Sequence, residues 1–296
     1  MTTGSFAPLI GLLVILLPGF IAGTARAAGE VISGQRIWQG DVHVAATVVV
    51  ERGAILRIRP GTRIFLSGED SDEDGARDGS IIVFGTLIVE GAREKPVLFS
   101  RLDPARPWGE VYIKEGKAVI RFAVFEGAKW GLHVHDGDVK VEHAVFRGNG
   151  GGARLKGTGA AFSRCTFRRN GIALRFWDGG PTVADTVIEN NGVGLFYREG
   201  PGGGKIVRSL IANREWNLKI GDWASGDLDA SGNYWGTGEE KEVRHRIQDF
   251  RENIHGQIRV SPFLPTPPAG CGAGLPEDSS IAIAPIKGSE IGEADR

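Results

Sequence analysis

Side chains able to hold anions recur at a fixed interval along this chain. His133, Arg154, Arg175, Phe196 and Lys219 follow one another at separations of 21, 21, 21 and 23 residues, and His135, Lys156, Trp177, Arg198 and Gly221 repeat that spacing two positions later. A guanidinium is a planar fork of donors that matches a carboxylate or sulfate bidentately, and an indole offers a sugar ring a flat face. If equal positions stack, His133, Arg154, Lys156, Arg175, Trp177 and Arg198 form a basic, aromatic strip suited to a long acidic glycan. The next position carries Asp136, Gly157, Asp178, Glu199 and Asp222, an acidic rail beside the strip. A blander reading stands next to this one. Like charges stacked about 4.8 Å apart repel by about 0.9 kcal/mol in water, so the rail and the strip can simply compensate each other as surface.

Two further groups have metal-ligand chemistry. Glu69 to Asp78 places six acids and one arginine in ten residues. Asp70, Asp72, Asp74 and Asp78, with Gly75, match the ligand positions and the glycine of a Ca²⁺ loop, although Ile81 stands where a bidentate glutamate belongs. The expectation is a weak structural Ca²⁺ site, against a merely solvated acidic loop. His133 and His135, two apart on one strand, could pair on a transition metal, but no cysteine or methionine stands near them and surface histidines are the default.

The elements that position these residues follow from the same period. Phe125, Phe146, Phe167, Ile188 and Ile211 mark five successive segments. Five residues before each marker is Ile120, Val141, Phe162, Val183 or Ile206; two before is Ala123, Ala144, Cys165, Thr186 or Ser209. Seven and nine residues after it, apolar positions alternate with the strip, which is the period of a strand and not of a helix. A unit of about 21 residues cannot bury its own apolar face, so the units must stack as a β-solenoid. Asn149, Asn170 and Asn191 share a turn position, where stacked amides can bond to one another, and Asn213 falls one place early. The 45 glycines in 296 residues fit frequent turns and exclude long helices. The formal charge of −1 leaves no global field to recruit nucleic acid.

GAILRIRPGTRIFL, PWGEVYI around Trp108, and GNYWG ending at Gly236 resemble the secreted right-handed parallel β-helix proteins of the pectate-lyase-like superfamily, over about residues 31 to 264. The resemblance implies the fold and is nearly silent on activity, because the superfamily spans lyases, hydrolases, epimerases, copper-maturation accessory proteins and members without a known reaction. It also implies what catalysis would require. Its lyases abstract a proton with an arginine or lysine beside carboxylate-held Ca²⁺, and its inverting hydrolases pair two carboxylates about 6.5 to 9.5 Å apart. Arg175, Asp178 and Glu199 are the residues of the right types here, with no catalytic motif to place them.

The apolar run from Leu9 to Phe20, followed by Ala25-Arg26-Ala27, reads as a secretory leader over residues 1 to 27, which sets the expected location as periplasmic or extracellular with no membrane span after cleavage. Residues 28 to 264 are expected to form an all-β domain, a right-handed parallel β-helix of about nine coils. A short helix is expected near residues 239 to 255, where Val243, Ile247 and Phe250 have helical spacing. Residues 265 to 296, rich in Pro and Gly and without an aromatic ring, are expected to be a disordered tail. The functional expectation is a non-catalytic binding or scaffold protein whose partner is an acidic polysaccharide or another protein. The alternative is a polysaccharide lyase or glycoside hydrolase.

Overall fold

The computed structural model describes residues 25–27, 29–69, 79–157, 159–249 and 256–275. Most of the expected leader, the four proposed Ca²⁺ ligands Asp70, Asp72, Asp74 and Asp78, and the chain from residue 276 onward lie outside the described residues. The described chain winds through three parallel sheets in turn, of 9, 10 and 10 strands, giving a parallel β-helix of about nine turns. One coil illustrates the rest: Asp138–Glu142 lies in the third sheet, Val145–Arg147 in the first, Gly151–Lys156 in the second, and Ala161–Ser163 returns to the third.

The repeat sets the register. Phe125, Phe146, Phe167, Ile188 and Ile211 pair one above another in the first sheet. Leu132, Ala153, Leu174, Leu195 and Leu218 do so in the second, and Ile120, Val141, Phe162, Val183 and Ile206 in the third. All of them are buried. The ring stack starts one coil before the first marker: Phe99, Phe125, Phe146 and Phe167 lie nearly parallel with successive centroids 4.6, 4.8 and 4.6 Å apart. Strand spacing dictates that distance, so the aromatic contacts are a by-product of parallel pairing in register.

Polar ladders fill the corners. Asn149, Asn170 and Asn191 each donate to the Oδ1 of the next asparagine, at 3.0, 2.9 and 2.8 Å, and each also donates to a backbone carbonyl of the preceding coil. Asn213 receives the last of these bonds although it stands one residue nearer its marker than the others do; the two extra residues of the coil lie earlier, between Tyr197 and Lys205. Asn217, only four residues on, closes the ladder and donates to the carbonyl of Trp235. A second ladder runs through the small-residue positions: the backbone N–H groups of Cys165, Thr186 and Ser209 donate to Thr186 Oγ1, Ser209 Oγ and Asn233 Oδ1. These side chains satisfy buried turn groups that strand pairing leaves open.

Left-handed residues turn the corners. Between the second and third sheets they are Glu115, Asp136, Gly157, Asp178 and Gly200; between the third and first, Phe122, His143, Arg164, Asp185 and Arg208. Most are not glycine, so the chain bears some backbone strain at nearly every coil in exchange for a sharp turn.

Two expectations are corrected. The helix covers only Glu240–His245, with Val243 buried; Ile247 instead pairs with Leu218 as a short strand, because the edge of the second sheet offers unpaired backbone groups there, and Phe250 is outside the described residues. The start of the tail is not disordered. Gly272 N–H donates to the Asp185 carbonyl at 2.8 Å, Ala273 N–H donates to Thr166 Oγ1 at 2.9 Å, and His143 Nδ1 lies 3.0 Å from the Ala273 carbonyl. Small residues let this segment lie flat against the outer side of the first sheet, where Leu98, Val124, Val145, Thr166, Val187 and Leu210 form one column.

Candidate functional site

The strip lies on the outer face of the second sheet. Register places Tyr112, His133, Arg154, Arg175, Phe196 and Lys219 in one column, and Lys114, His135, Lys156 and Trp177 in the next. Arg198 follows Tyr197, where the pairing shifts by a residue before Glu199 meets Trp223. Alternation thus carries all six sequence-selected residues to one face.

Outward orientation has not made them exposed. His133, Arg175, Phe196 and Trp177 keep only 4, 1, 7 and 8% of their surface. The physical reason visible in the column is mutual packing. The Arg175 guanidinium sits 5.6 Å from the Trp177 ring centre and 5.7 Å from that of Phe196. Arg198 covers Trp177 at 5.9 Å, Lys219 covers Phe196 at 5.1 Å, and Arg154 covers Trp130 at 5.5 Å. Cations over ring faces are attracted by the ring quadrupole, which offsets the repulsion expected of a bare basic column. Trp177 is therefore engaged by two guanidiniums and is no open platform for a sugar. The indole that does stand in solvent is Trp223, at 78% exposure. The repeat concealed it, because it follows the register shift and has no counterpart in earlier coils.

One coil toward the N-terminus the strip gains a carboxylate. Glu110 Oε1 lies 2.9 Å from His133 Nδ1, and its Oε2 lies 3.5 Å from Arg154. Burial alone would raise the Glu110 carboxyl, but the hydrogen bond with His133 and the charges of His133, Arg154 and Lys129 outweigh it and hold the group below its ordinary value. Tyr112 stacks on His133 with centroids 4.1 Å apart, and the His135 ring meets His133 and Trp177 edge-on at 4.5 and 5.7 Å. Burial, reinforced by His133, Lys156 and Arg154 against the weaker pull of Asp136, lowers the His135 pKa to about 4. His135 is thus a neutral imidazole at neutral pH, with one acceptor nitrogen and cations to either side. Glu110 and Tyr112 escaped sequence reasoning because the repeat is irregular before Ile120.

The acidic rail has other work. Asp136 and Asp178 occupy left-handed corners, and their Oδ1 atoms lie over Gly157 and Gly200 of the next coil, where a Cβ would come within 2.0 and 2.1 Å. Glu199 pairs with Arg198 at 3.7 Å. Among the described residues no group of three or more His, Cys, Asp or Glu side chains is disposed to hold a metal ion. The His133 and His135 rings meet edge to face.

The fold and this face define a parallel β-helix repeat protein with a cation- and aromatic-lined sheet. No family model, curated protein or solved structure matches the chain.

Proposed function

We propose that this is an exported, non-catalytic β-helix protein that binds an acidic polysaccharide along the outer face of the second sheet. The observation that carries the reading is the interleaving of Arg154, Arg175, Arg198 and Lys219 with the rings of Trp130, Trp177 and Phe196. Ring contacts hold the cationic side chains in place before a ligand arrives, so little rotamer freedom is lost on binding. The spacing between coils repeats, as does that of the charges on an acidic polymer. Partly exposed Arg154, Lys156 and Arg198 would meet the carboxylates, with Tyr112 and Trp223 against sugar faces; buried Arg175 and His133 support them. Export rests on the leader-like N-terminus. Its last residues, Ala25–Ala27, pair with Val42–Val44, so cleavage after Ala27 would release one strand.

The test is a binding titration of polygalacturonate, alginate and a neutral glucan against the protein and a Lys156→Ala/Arg198→Ala variant. Binding of an acidic chain, weakened at least tenfold in the variant with unchanged melting and absent for the neutral chain, is the expected result. Equal binding by the variant, or none by the protein, overturns it. The carboxylate-oriented imidazole of Glu110 and His133 favours a second reading, a lyase or hydrolase on the same face. An unsaturated or shortened product whose formation stops in His133→Gln would establish that reading instead.

A further inference from the structure

At the C-terminal end of the stack, the corner between the first and second sheets opens into a cleft of about 530 Å³. Asn190, Arg214, Thr237, Glu242 and Arg246 line it, with Trp235 and the end of the asparagine ladder behind them. Two arginines here are held differently from many others on the molecule. Arg57, Arg63, Arg121, Arg147, Arg168, Arg208 and Arg244 each pair with a carboxylate. Arg214 and Arg246 instead lean on backbone carbonyls. Arg246 Nη1 donates to the carbonyls of Asn213, at 2.9 Å, and Arg214, while Arg214 Nε makes a long 3.4 Å bond to that of Asn191. Neither has a carboxylate within 4.0 Å among the described residues. Each is anchored through one nitrogen, leaving its remaining N–H donors at the cleft.

We infer that this cleft is a binding site for a small polyhydroxy monocarboxylate, a sugar-acid type of molecule, separate from the strip. Two anchored guanidiniums with spare donors suit one carboxylate. Its volume falls in the range of small-molecule sites, roughly 300 to 1,000 Å³. Glu242 at the same rim accepts hydrogen bonds from hydroxyls and repels a dianion, which disfavours phosphate. The Asn190 amide and the Thr237 hydroxyl, which accepts from the Glu239 N–H and keeps its own proton to donate, complete the set of hydroxyl partners.

Calorimetric titration of the protein with D-gluconate, D-glucuronate, D-glucose and inorganic phosphate tests the inference. The two carboxylates are expected to bind, with glucose and phosphate at least tenfold weaker. Arg214 is exposed, so Arg214→Ala should keep the melting temperature and lose at least tenfold in gluconate affinity, whereas Lys156→Ala/Arg198→Ala should bind gluconate normally. Absence of carboxylate binding, equal binding of glucose or phosphate, or indifference to Arg214→Ala overturns the assignment. Loss of gluconate binding in the Lys156→Ala/Arg198→Ala variant would overturn it too, by moving the site to the strip.

Discussion

His135 carries its own pH signature. Its native pKa of about 4 lies below the unfolded value of about 6.5, so between those values the unfolded chain binds a proton that the folded chain refuses. Stability from this residue is full above about pH 6.5 and falls as pH drops toward 4. Denaturant midpoints measured from pH 7 to 4 should therefore decline, and His135→Gln should flatten the slope; an unchanged slope would mean that the imidazole is solvated. The corner aspartates make a second residue-scale prediction. Gly157→Ala would both strain a left-handed backbone and thrust a methyl against Asp136 Oδ1. A loss of about 1 to 3 kcal/mol is expected in denaturant unfolding, and Asp136→Ala in the same chain should recover part of it. As sequence, Asp136, Asp178 and Glu199 looked like one acidic rail. They differ in structure because a one-residue shift after Tyr197 gives the corner to Gly200 and leaves Glu199 beside Arg198. Cys165 was readable as a small core residue, and burial pushes its thiol up to about 12, which leaves it unreactive.

At the scale of elements, the asparagine ladder shows why single coils cannot fold alone. Asn170 is fully buried; its Oδ1 accepts from the backbone and side-chain nitrogens of Asn149, and its amide donates to Asn191 and to the Phe146 carbonyl. Asn170→Ala would strand donors and acceptors in three coils. A loss of about 3 kcal/mol is expected in denaturant unfolding, comparable to that of Phe146→Ala in the core of the adjacent coil. A loss below about 1 kcal/mol would show that water replaces the amide. Most of this element-scale order was legible, because parallel in-register stacking converts a sequence period directly into columns. The first three asparagines and the core columns through Ile120, Phe125 and Leu132 came from spacing alone. Asn217 did not, since it joins the ladder four residues from Asn213 within one coil. Nor did the burial of Arg175, which depends on rings brought over it by neighbouring strands and not on its own place in the strand period.

For the whole molecule, a solenoid is close to one-dimensional: each coil touches its neighbours, and stability propagates through nearest-neighbour interfaces. The chain from Cys271 to Ala273 departs from that scheme. It runs against the direction of winding, from the coil of Asp185 past Thr166 to that of His143, and so ties three coils that otherwise communicate only through their stacking. Nothing in its sequence announced this, because a run of Gly, Cys and Ala has no periodicity and its docking partners are one backbone carbonyl, one hydroxyl and one imidazole. The hydroxyl makes it testable. Thr166→Val preserves shape on the outer face of the first sheet and removes the acceptor for the Ala273 amide, at an expected cost of about 1 kcal/mol. If the strap is an independent element laid on a finished solenoid, that cost falls on strap docking alone. Limited proteolysis within residues 265–275 should then accelerate by about fivefold, while the melting temperature of the solenoid barely moves. If instead the strap is part of the cooperative stack, melting should drop with no selective gain in cleavage. The first outcome is expected, since the core columns of all three coils are complete without it.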